Sequence, residues 1–341
     1  MTQFTASDTE PSPVQAPAVT ADLNGRTALI SGGSRGIGHA IAVALAARGA
    51  NVALLAKTDT PHPKLAGTVH TAVEDIRAAG GQGLAVVGDV RRDEDVSAAV
   101  ERTVETFGGI DMLINNASAI DLSPTEVVDM KRYDLMHDIN VRGTFLLSKM
   151  AAPHLRTSAA KHQADAAAGS AGADAEGIAA ESLGGAVGFT PQILTLSPPL
   201  ALGEAGLDPV WLGRHLAYTM SKYGMSMTTL GLAEELAADG VAVNSLWPAT
   251  YIDTAAIRNL AALAGEQGET MIRGARRVDI VADAAVAVLS GQLMTIPEEG
   301  SAHPISGQFL TDEQVLRQLG VTDFSDYAVD PQSELIPDAF L

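Results

Sequence analysis

Hydrophobic positions along this chain alternate between short continuous runs and helical stripes. Thr27-Ala28-Leu29-Ile30-Ser31 is an apolar run of the kind found in strands buried on both faces. Ala40 to Arg48 follows as a helical stretch closed by Gly49, and Asn51 to Ala56 predicts a second strand. Thr68 to Ala79 predicts a helix ending at Gly80-Gly81, Leu84 to Val87 a strand, and Asp93 to Phe107 a helix ending at Gly108-Gly109. Met112 to Ile114 predicts a strand that runs into Asn115-Asn116-Ala117-Ser118, and Met130 to about Leu155 is mostly helical. Further on, Gln192 to Leu196 predicts a strand stopped by Pro198-Pro199, because proline cannot continue a ladder. Ala217 to Ala238 is a long helix, Val241 to Leu246 a strand, Ala255 to Leu263 and Val278 to Leu289 helices, and Gly307 to Leu310 the last strand. Strands alternating with helices imply an α/β fold, one doubly wound parallel sheet of the Rossmann type.

Three stretches depart from the alternation. Residues 1–24 are rich in Thr, Ser, Pro and Ala and predict a disordered tail before a single domain at 25–341. Residues 157–188 are almost entirely Ala, Gly, Ser, Asp and Glu and predict a low-complexity surface insertion. Residues 311–341 are acidic, contain Pro331 and Pro337, and are expected to lie over the surface or a neighbouring subunit.

Composition narrows the function classes. The 341 residues are 46% hydrophobic but only 4% aromatic, so the core is expected to be aliphatic. Cysteine is absent, which removes thiolate chemistry and Cys-ligated zinc, and the eight histidines show no ligand spacing, so no metal is expected. A formal net charge of −19 argues against nucleic acid or an anionic membrane as partner. No apolar run reaches the roughly 18 residues of a spanning helix, and the first basic residue is Arg26, so a cytoplasmic location is expected.

Two constellations carry chemistry. Gly32-Gly33-Ser34-Arg35-Gly36-Ile37-Gly38 stands between a strand and a helix at the first βα turn. Glycines there let the backbone approach a pyrophosphate, and the helix N-terminus faces the anion. The second strand ends at Lys57 with no acid to hold a ribose diol, and Arg35 lies in the turn, so a 2′-phosphate and hence NADP (NADPH) is favoured over NAD. Lys64 is a further candidate for that pocket, while Asp59 is the residue that speaks for NAD. In the second constellation, Tyr218 and Lys222 share one helix face a turn apart. A fixed cation beside a phenol lowers its pKa and makes a proton donor for neutral pH. Met225, Met227, Trp211, Trp247 and Tyr251 are candidates for a hydrophobic substrate site, with core packing an equal alternative for the two methionines.

The glycine turn, Asn115-Asn116-Ala117-Ser118, Asn140, Ser197 and Tyr218-x-x-x-Lys222 occur in an order that resembles the short-chain dehydrogenases/reductases, over roughly residues 25–310. A closer likeness is to the dehydrogenase domain of the hydroxysteroid dehydrogenase-like type 2 branch, without its sterol-carrier domain. It rests on Ala56-Lys57-Thr58 with Pro61-His62-Pro63-Lys64-Leu65, Leu196-Ser197-Pro198-Pro199-Leu200, Ala217 to Met227 and Leu246-Trp247-Pro248. The resemblance implies Tyr218 as general acid/base, Ser197 as hydrogen-bond partner of the substrate oxygen, Lys222 as the cation beside Tyr218 and the ribose, and Asn140 as holder of a relay water. It also implies that Gly32, Ser34, Arg35, Gly36, Ile37, Gly38, Asp89, Val90, Asn116, Ala117, Ile252 and Thr254 border the dinucleotide. Pro248-Ala249 replaces the family's frequent Pro-Gly, and the spacer between Ser197 and Tyr218 is longer than usual, so the substrate mouth is expected to differ.

The resulting expectation is a metal-free, NADP-dependent hydride transfer between an alcohol and a carbonyl. The substrate is expected to be apolar: terpenoid, long-chain or steroid-like. The alternatives are an enoyl reductase acting on acyl thioesters and a non-catalytic NADP-binding regulatory protein. The resemblance further implies a homodimer or homotetramer, formed through the helices carrying Tyr218 and Asn140.

Overall fold

The computed structural model describes residues 21–61, 67–173, 189–200, 208–295 and 303–341. In chain order the elements are β1 Thr27–Ser31, α1 Gly36–Ala46, β2 Asn51–Ala56, α2 Val69–Ala78, β3 Gln82–Val87, α3 Asp93–Phe107, β4 Met112–Asn115 and α4 Met130–His137. A π-helical turn at Asp138–Gly143 leads into α5 Thr144–Ala173, followed by β5 Gln192–Thr195, α6 Pro209–Arg214, α7 Leu216–Glu235 and β6 Ala242–Trp247. Then come α8 Ala255–Leu263, α9 Glu266–Arg273, α10 Asp279–Leu289, the small hairpin of β7 Met294–Thr295 and β8 His303–Pro304, β9 Phe309–Thr311 and α11 Asp312–Gln318.

Seven strands form one sheet in the order β3-β2-β1-β4-β5-β6-β9, with every pairing parallel. This is the doubly wound arrangement that the alternation of patterns predicted. The pleat divides each strand between two cores. Ala28, Ile30, Val52, Leu54, Met112 and Ile114 pack with α1, α2, α10 and α11, whereas Leu29, Ala53, Leu55 and Leu113 pack with α3, α5 and α7. Each large side chain so buried contributes about 1.5–3 kcal/mol of transfer free energy. Helix α10 has all but its first residue buried, which accounts for its nearly unbroken apolar sequence. The strand order reverses at β1, which pairs with both β2 and β4, so a crevice opens beyond the carboxyl ends of these strands.

Three sequence expectations need correction. The tail ends earlier than residue 24: Leu23 is buried and its N–H donates to the Arg48 carbonyl at 2.9 Å. Residues 1–20 lie outside the described residues. The stretch read as an insertion starting at Thr157 is instead the second half of α5, which continues to Ala173. Its alanines are strong helix formers, and low complexity in alanine is compatible with helix. Its inner face is fastened to the sheet: Ser158 donates to Asp111, the His162 ring bonds Asp111 at 3.0 Å, and Arg26 bonds His162 at 2.8 Å. Residues 174–188 lie outside the described residues. Finally, the C-terminal extension is not a surface tail. Val315, Leu316, Phe324 and Tyr327 join the larger core, and the last residues enter the crevice.

Candidate active site

The crevice is a cleft of about 740 Å³ lined by residues that follow β1, β2, β3, β4, β5 and β6 at their carboxyl ends, and by the C-terminus of the chain. At one end is the glycine turn. Gly32 and Gly36 adopt φ of +73° and +59°, a region that other residues rarely enter, which lets the chain leave β1 and begin α1 at once. Gly38 backs this turn. A Cβ there would come within 2.4 Å of Asn116 Nδ2, whose amide donates to the Ser31 and Gly32 carbonyls at 2.9 and 3.0 Å. The Ser31 hydroxyl in turn accepts the N–H groups of Asn116 and Ala117, each at 3.1 Å. The glycine turn and the end of β4 are therefore one clamped unit.

Gly32, Ser34, Arg35, Gly36, Ile37, Lys57, Asp89, Val90, Asn116, Ala117, Tyr218, Lys222, Ile252 and Thr254 all line this one cleft. Gly38 does not line it; its role is the close packing on Asn116. Lys64 lies outside the described residues. Arg35 donates from Nη2 to the Gly67 carbonyl at 2.8 Å, while its buried Nε has no hydrogen-bond partner among the described residues. An unpaired buried guanidinium N–H beside a glycine turn is a donor waiting for an anion, so the residues present fit a phosphate-bearing cofactor. Asp59 is turned onto His70 at 2.7 Å and is not part of the lining. The Asp89 carboxylate is held well below the usual range, chiefly by its hydrogen bonds from Arg91, which it meets at 2.6 Å. Sequence reasoning missed Arg91, two residues beyond Asp89.

The opposite half of the cleft is apolar. Leu122, Leu135, Trp211, Trp247, Tyr251 and Phe340 line it. Tyr218 and Lys222 stand at the junction, brought to the cleft by α7. Lys222 is 2% exposed. Its Nζ donates to the Leu196 carbonyl at 2.7 Å and to Met225 Sδ at 3.1 Å, and lies 4.8 Å from the Trp247 ring centre. Burial pulls its pKa down to about 7, against a smaller opposing effect of Asp338. Tyr218 is pushed up instead, first by burial and then by Asp338. The shift runs opposite to the one expected from Lys222, whose Nζ donates to Leu196 and Met225. The Tyr218 phenol is thus held neutral at physiological pH.

Asn140 does not line the cleft. Its amide clamps the Ala119 backbone, accepting at 2.8 Å and donating at 3.0 Å, and donates to Ser221 Oγ at 2.9 Å; Ser221 donates to the Tyr218 carbonyl at 2.7 Å. The side chain expected to hold a water is committed to positioning α7. Asn140 sits inside the π-helical turn, where the regular i→i−4 bonding is interrupted, a feature frequent at functional sites. Ser197 also departs from expectation. It is 1% exposed, its hydroxyl pairs with Ser245 Oγ at 2.7 Å, and Ser245 donates to Thr229 at 2.8 Å. It is absent from the cleft lining. Of the two methionines, Met225 is buried against Lys222 and Met227 is 60% exposed on the surface. Among the described residues no cluster of His, Asp and Glu could hold a metal ion, and no helix is long and apolar enough to cross a membrane.

Asp338 and Phe340 are the residues that sequence reasoning missed altogether. Burial raises the Asp338 carboxyl to about 6, while its hydrogen bond from Trp247 acts the other way. The available signal was Ala339-Phe340-Leu341, an apolar ending to an acidic extension in a chain poor in aromatics.

Comparison with known proteins places the chain in a family. A family model for the short chain dehydrogenases matches residues 26–166. The chain is 44% identical over 322 residues to hydroxysteroid dehydrogenase-like protein 2 of Danio rerio, a match covering 94% of this chain and 65% of that protein, so the chain spans about two thirds of its relative's length. Among solved structures, a putative dehydrogenase from Xanthomonas campestris is 45% identical with a TM-score of 0.74, covering 94% of this chain and 98% of that one. A short chain dehydrogenase from Mycobacterium thermoresistibile is 46% identical with a TM-score of 0.72, covering 93% and 95%. The chain belongs to the short-chain dehydrogenase/reductase family, whose oxidoreductases work with a nicotinamide dinucleotide.

Proposed function

We propose that this protein is an NADP-dependent oxidoreductase that interconverts an apolar alcohol and its carbonyl compound, with Tyr218 as general acid/base. The observation that carries the reading is the placement of Tyr218 where a glycine-turn anion site meets an apolar, aromatic-lined half-cleft. When bound, the dinucleotide supplies or accepts the hydride. The chain's own residues position and protonate. Tyr218 gives its hydroxyl proton to the carbonyl oxygen as charge develops there, and takes it back in oxidation. Its raised pKa keeps the phenol protonated near neutral pH. Lys222 provides an amine that gains or loses a proton near pH 7 within the same wall. Asn140 holds α7 in register through Ser221. The apolar half-cleft supports terpenoid, long-chain or steroid-like substrates over sugars.

Preference for NADP is supported by Arg35 Nε, by Lys57 on the rim and by the withdrawal of Asp59 onto His70. Titration of nicotinamide fluorescence checks it. NADPH is expected to bind about ten- to a hundredfold more tightly than NADH, and Arg35→Ala to remove most of that difference, the range of one or two charge-assisted hydrogen bonds. Equal affinity for both dinucleotides would overturn the preference. Pairing of two chains through α7 and the Asn140 segment is part of the same proposal.

A further inference from the structure

We infer that the chain's own C-terminal segment, Pro337 to Phe340, forms the far wall of the substrate site, and that Phe340 sets the size of the apolar group admitted beside Tyr218. The inference deepens the proposed function and rests on it.

The segment is built in. Ile336 N–H donates to the Gly274 carbonyl at 2.9 Å, and the Ile336 carbonyl accepts from Tyr251 N–H at 3.0 Å. Thr250 and Pro337 form an antiparallel bridge, and Asp338 N–H donates to the Ala249 carbonyl at 3.1 Å. The chain end is thereby laced along the loop that follows β6. Asp338 then aims what comes after it. Its Oδ1 accepts Trp247 Nε1–H at 2.6 Å and Phe340 N–H at 3.1 Å, joining the segment to the end of β6 and folding the backbone inward. The Phe340 ring is 2% exposed, while the next residue, Leu341, is 41% exposed. One side chain points in and its neighbour points out.

Phe340 occupies the middle of the apolar half-cleft. Its ring centroid lies 5.4 Å from that of Trp247, 5.9 Å from Tyr218, 6.1 Å from Trp211 and 6.1 Å from Tyr223, with steep interplanar angles throughout. A substrate that presents its oxygen to the Tyr218 hydroxyl has to lay its carbon skeleton against this group. The ring is rigid and held on a strap, not a sheet strand, so its size can change while the seven-stranded sheet keeps its packing. Trp211 Nε1 is buried in the same lining without a hydrogen-bond partner among the described residues, which leaves one donor for a second oxygen on the substrate.

The two tryptophans of the chain, Trp211 and Trp247, both pack on Phe340, so intrinsic fluorescence reports on this site without turnover. Wild type and the variants Phe340→Ala, Phe340→Leu and Leu341→Ala are titrated with 2-butanone and 2-octanone at saturating NADP+. Phe340→Ala is expected to shift the affinity ratio towards 2-octanone by about tenfold or more, the discrimination that a few methylenes confer in an apolar pocket. Phe340→Leu should shift it less and Leu341→Ala should leave it unchanged. Should Phe340→Ala fail to fold by circular dichroism, Phe340→Leu decides. An unchanged ratio in folded Phe340 variants, an equal shift in Leu341→Ala, or no ketone binding by wild type would overturn the inference. NADPH binding by the same proteins is read from nicotinamide emission in separate samples without NADP+ or ketone. If that alone fails, the cofactor reading is struck, and the ketone titration repeated without dinucleotide still tests the wall.

Discussion

Ser197 and Tyr218 differ in where their hydroxyls are spent. Ser197 closes a buried chain of hydroxyls with Ser245 and Thr229, whereas Tyr218 lines the cleft. Ser197→Ala is therefore expected to cost about 0.5–1.5 kcal/mol of stability, the worth of one buried hydrogen bond, and to leave kcat near wild type. Tyr218→Phe is expected to lower kcat about 10²–10⁴-fold, the usual contribution of a positioned acid or base, with NADPH affinity preserved. Steady-state rates and urea midpoints of the two variants check this; a comparable rate loss in Ser197→Ala would put its hydroxyl on the substrate after all. The pair also shows what a sequence can reveal about a site. Tyr218 and Lys222 are legible because helical spacing fixes their common face. Ser197 is not, because successive residues at a strand end point to opposite sides, and position alone does not say which side is the cleft. The partner that Lys222 selects, the Leu196 carbonyl, is a tertiary matter that spacing cannot encode.

Helix α7 carries its chemistry on one side and leaves a different surface on the other. Leu216, Met220, Met227 and Leu230 are 38%, 48%, 60% and 47% exposed, and Phe145 at the start of α5 is 55% exposed. Large apolar side chains gathered on adjacent helices mark a surface suited to self-association. On the proposed pairing through α7, replacing Met220 and Met227 together by glutamate is expected to leave a monomer of 35.2 kDa with its circular dichroism intact. Sedimentation velocity decides, and an assembly that survives both charges would place the contact elsewhere. At this scale the sequence was most informative. Every strand of the sheet and the helices α1, α2, α3, α7, α8 and α10 follow from runs, stripes and glycine stops, since those patterns are the physical requirement for burial between two helical layers, whereas α9 and α11 were not foreseen. Two of the failures share a cause. The second half of α5 and the C-terminal extension lack a strong apolar period of their own, and are held by contacts to distant residues: His162 to Asp111, and Asp338 to Trp247.

On the scale of the whole molecule, buried ionisable groups make stability depend on pH beneath a net charge of −19. Asp312 is completely buried, and burial raises its carboxyl to about 6 from 3.8, despite accepting the N–H groups of Ala249 and Glu313. Between those two values the native state keeps a proton that the unfolded chain has lost, so this group lowers stability as pH rises through the window. Lys222 acts in the opposite sense. Its pKa falls to about 7 from 10.5 on folding, so above pH 7 the unfolded chain holds the extra proton and stability rises with pH up to about 10.5. The two effects place the weakest point of the fold near pH 6–7 as far as these groups are concerned. The slope in each window is about 1.4 kcal/mol per pH unit. Lys222→Met keeps the buried stem and removes the amine. Comparing urea denaturation of wild type and Lys222→Met at increasing pH removes the repulsion common to both. Between pH 7 and 9 the difference is expected to move by roughly 2 kcal/mol in favour of wild type. Asp312→Asn applies the same comparison between pH 4 and 6, with wild type losing ground as pH rises. A pH-independent difference for Lys222→Met would mean that the buried amine stays charged in the cofactor-free fold, and that the Leu196 carbonyl, Met225 and the Trp247 ring suffice to hold an ammonium there.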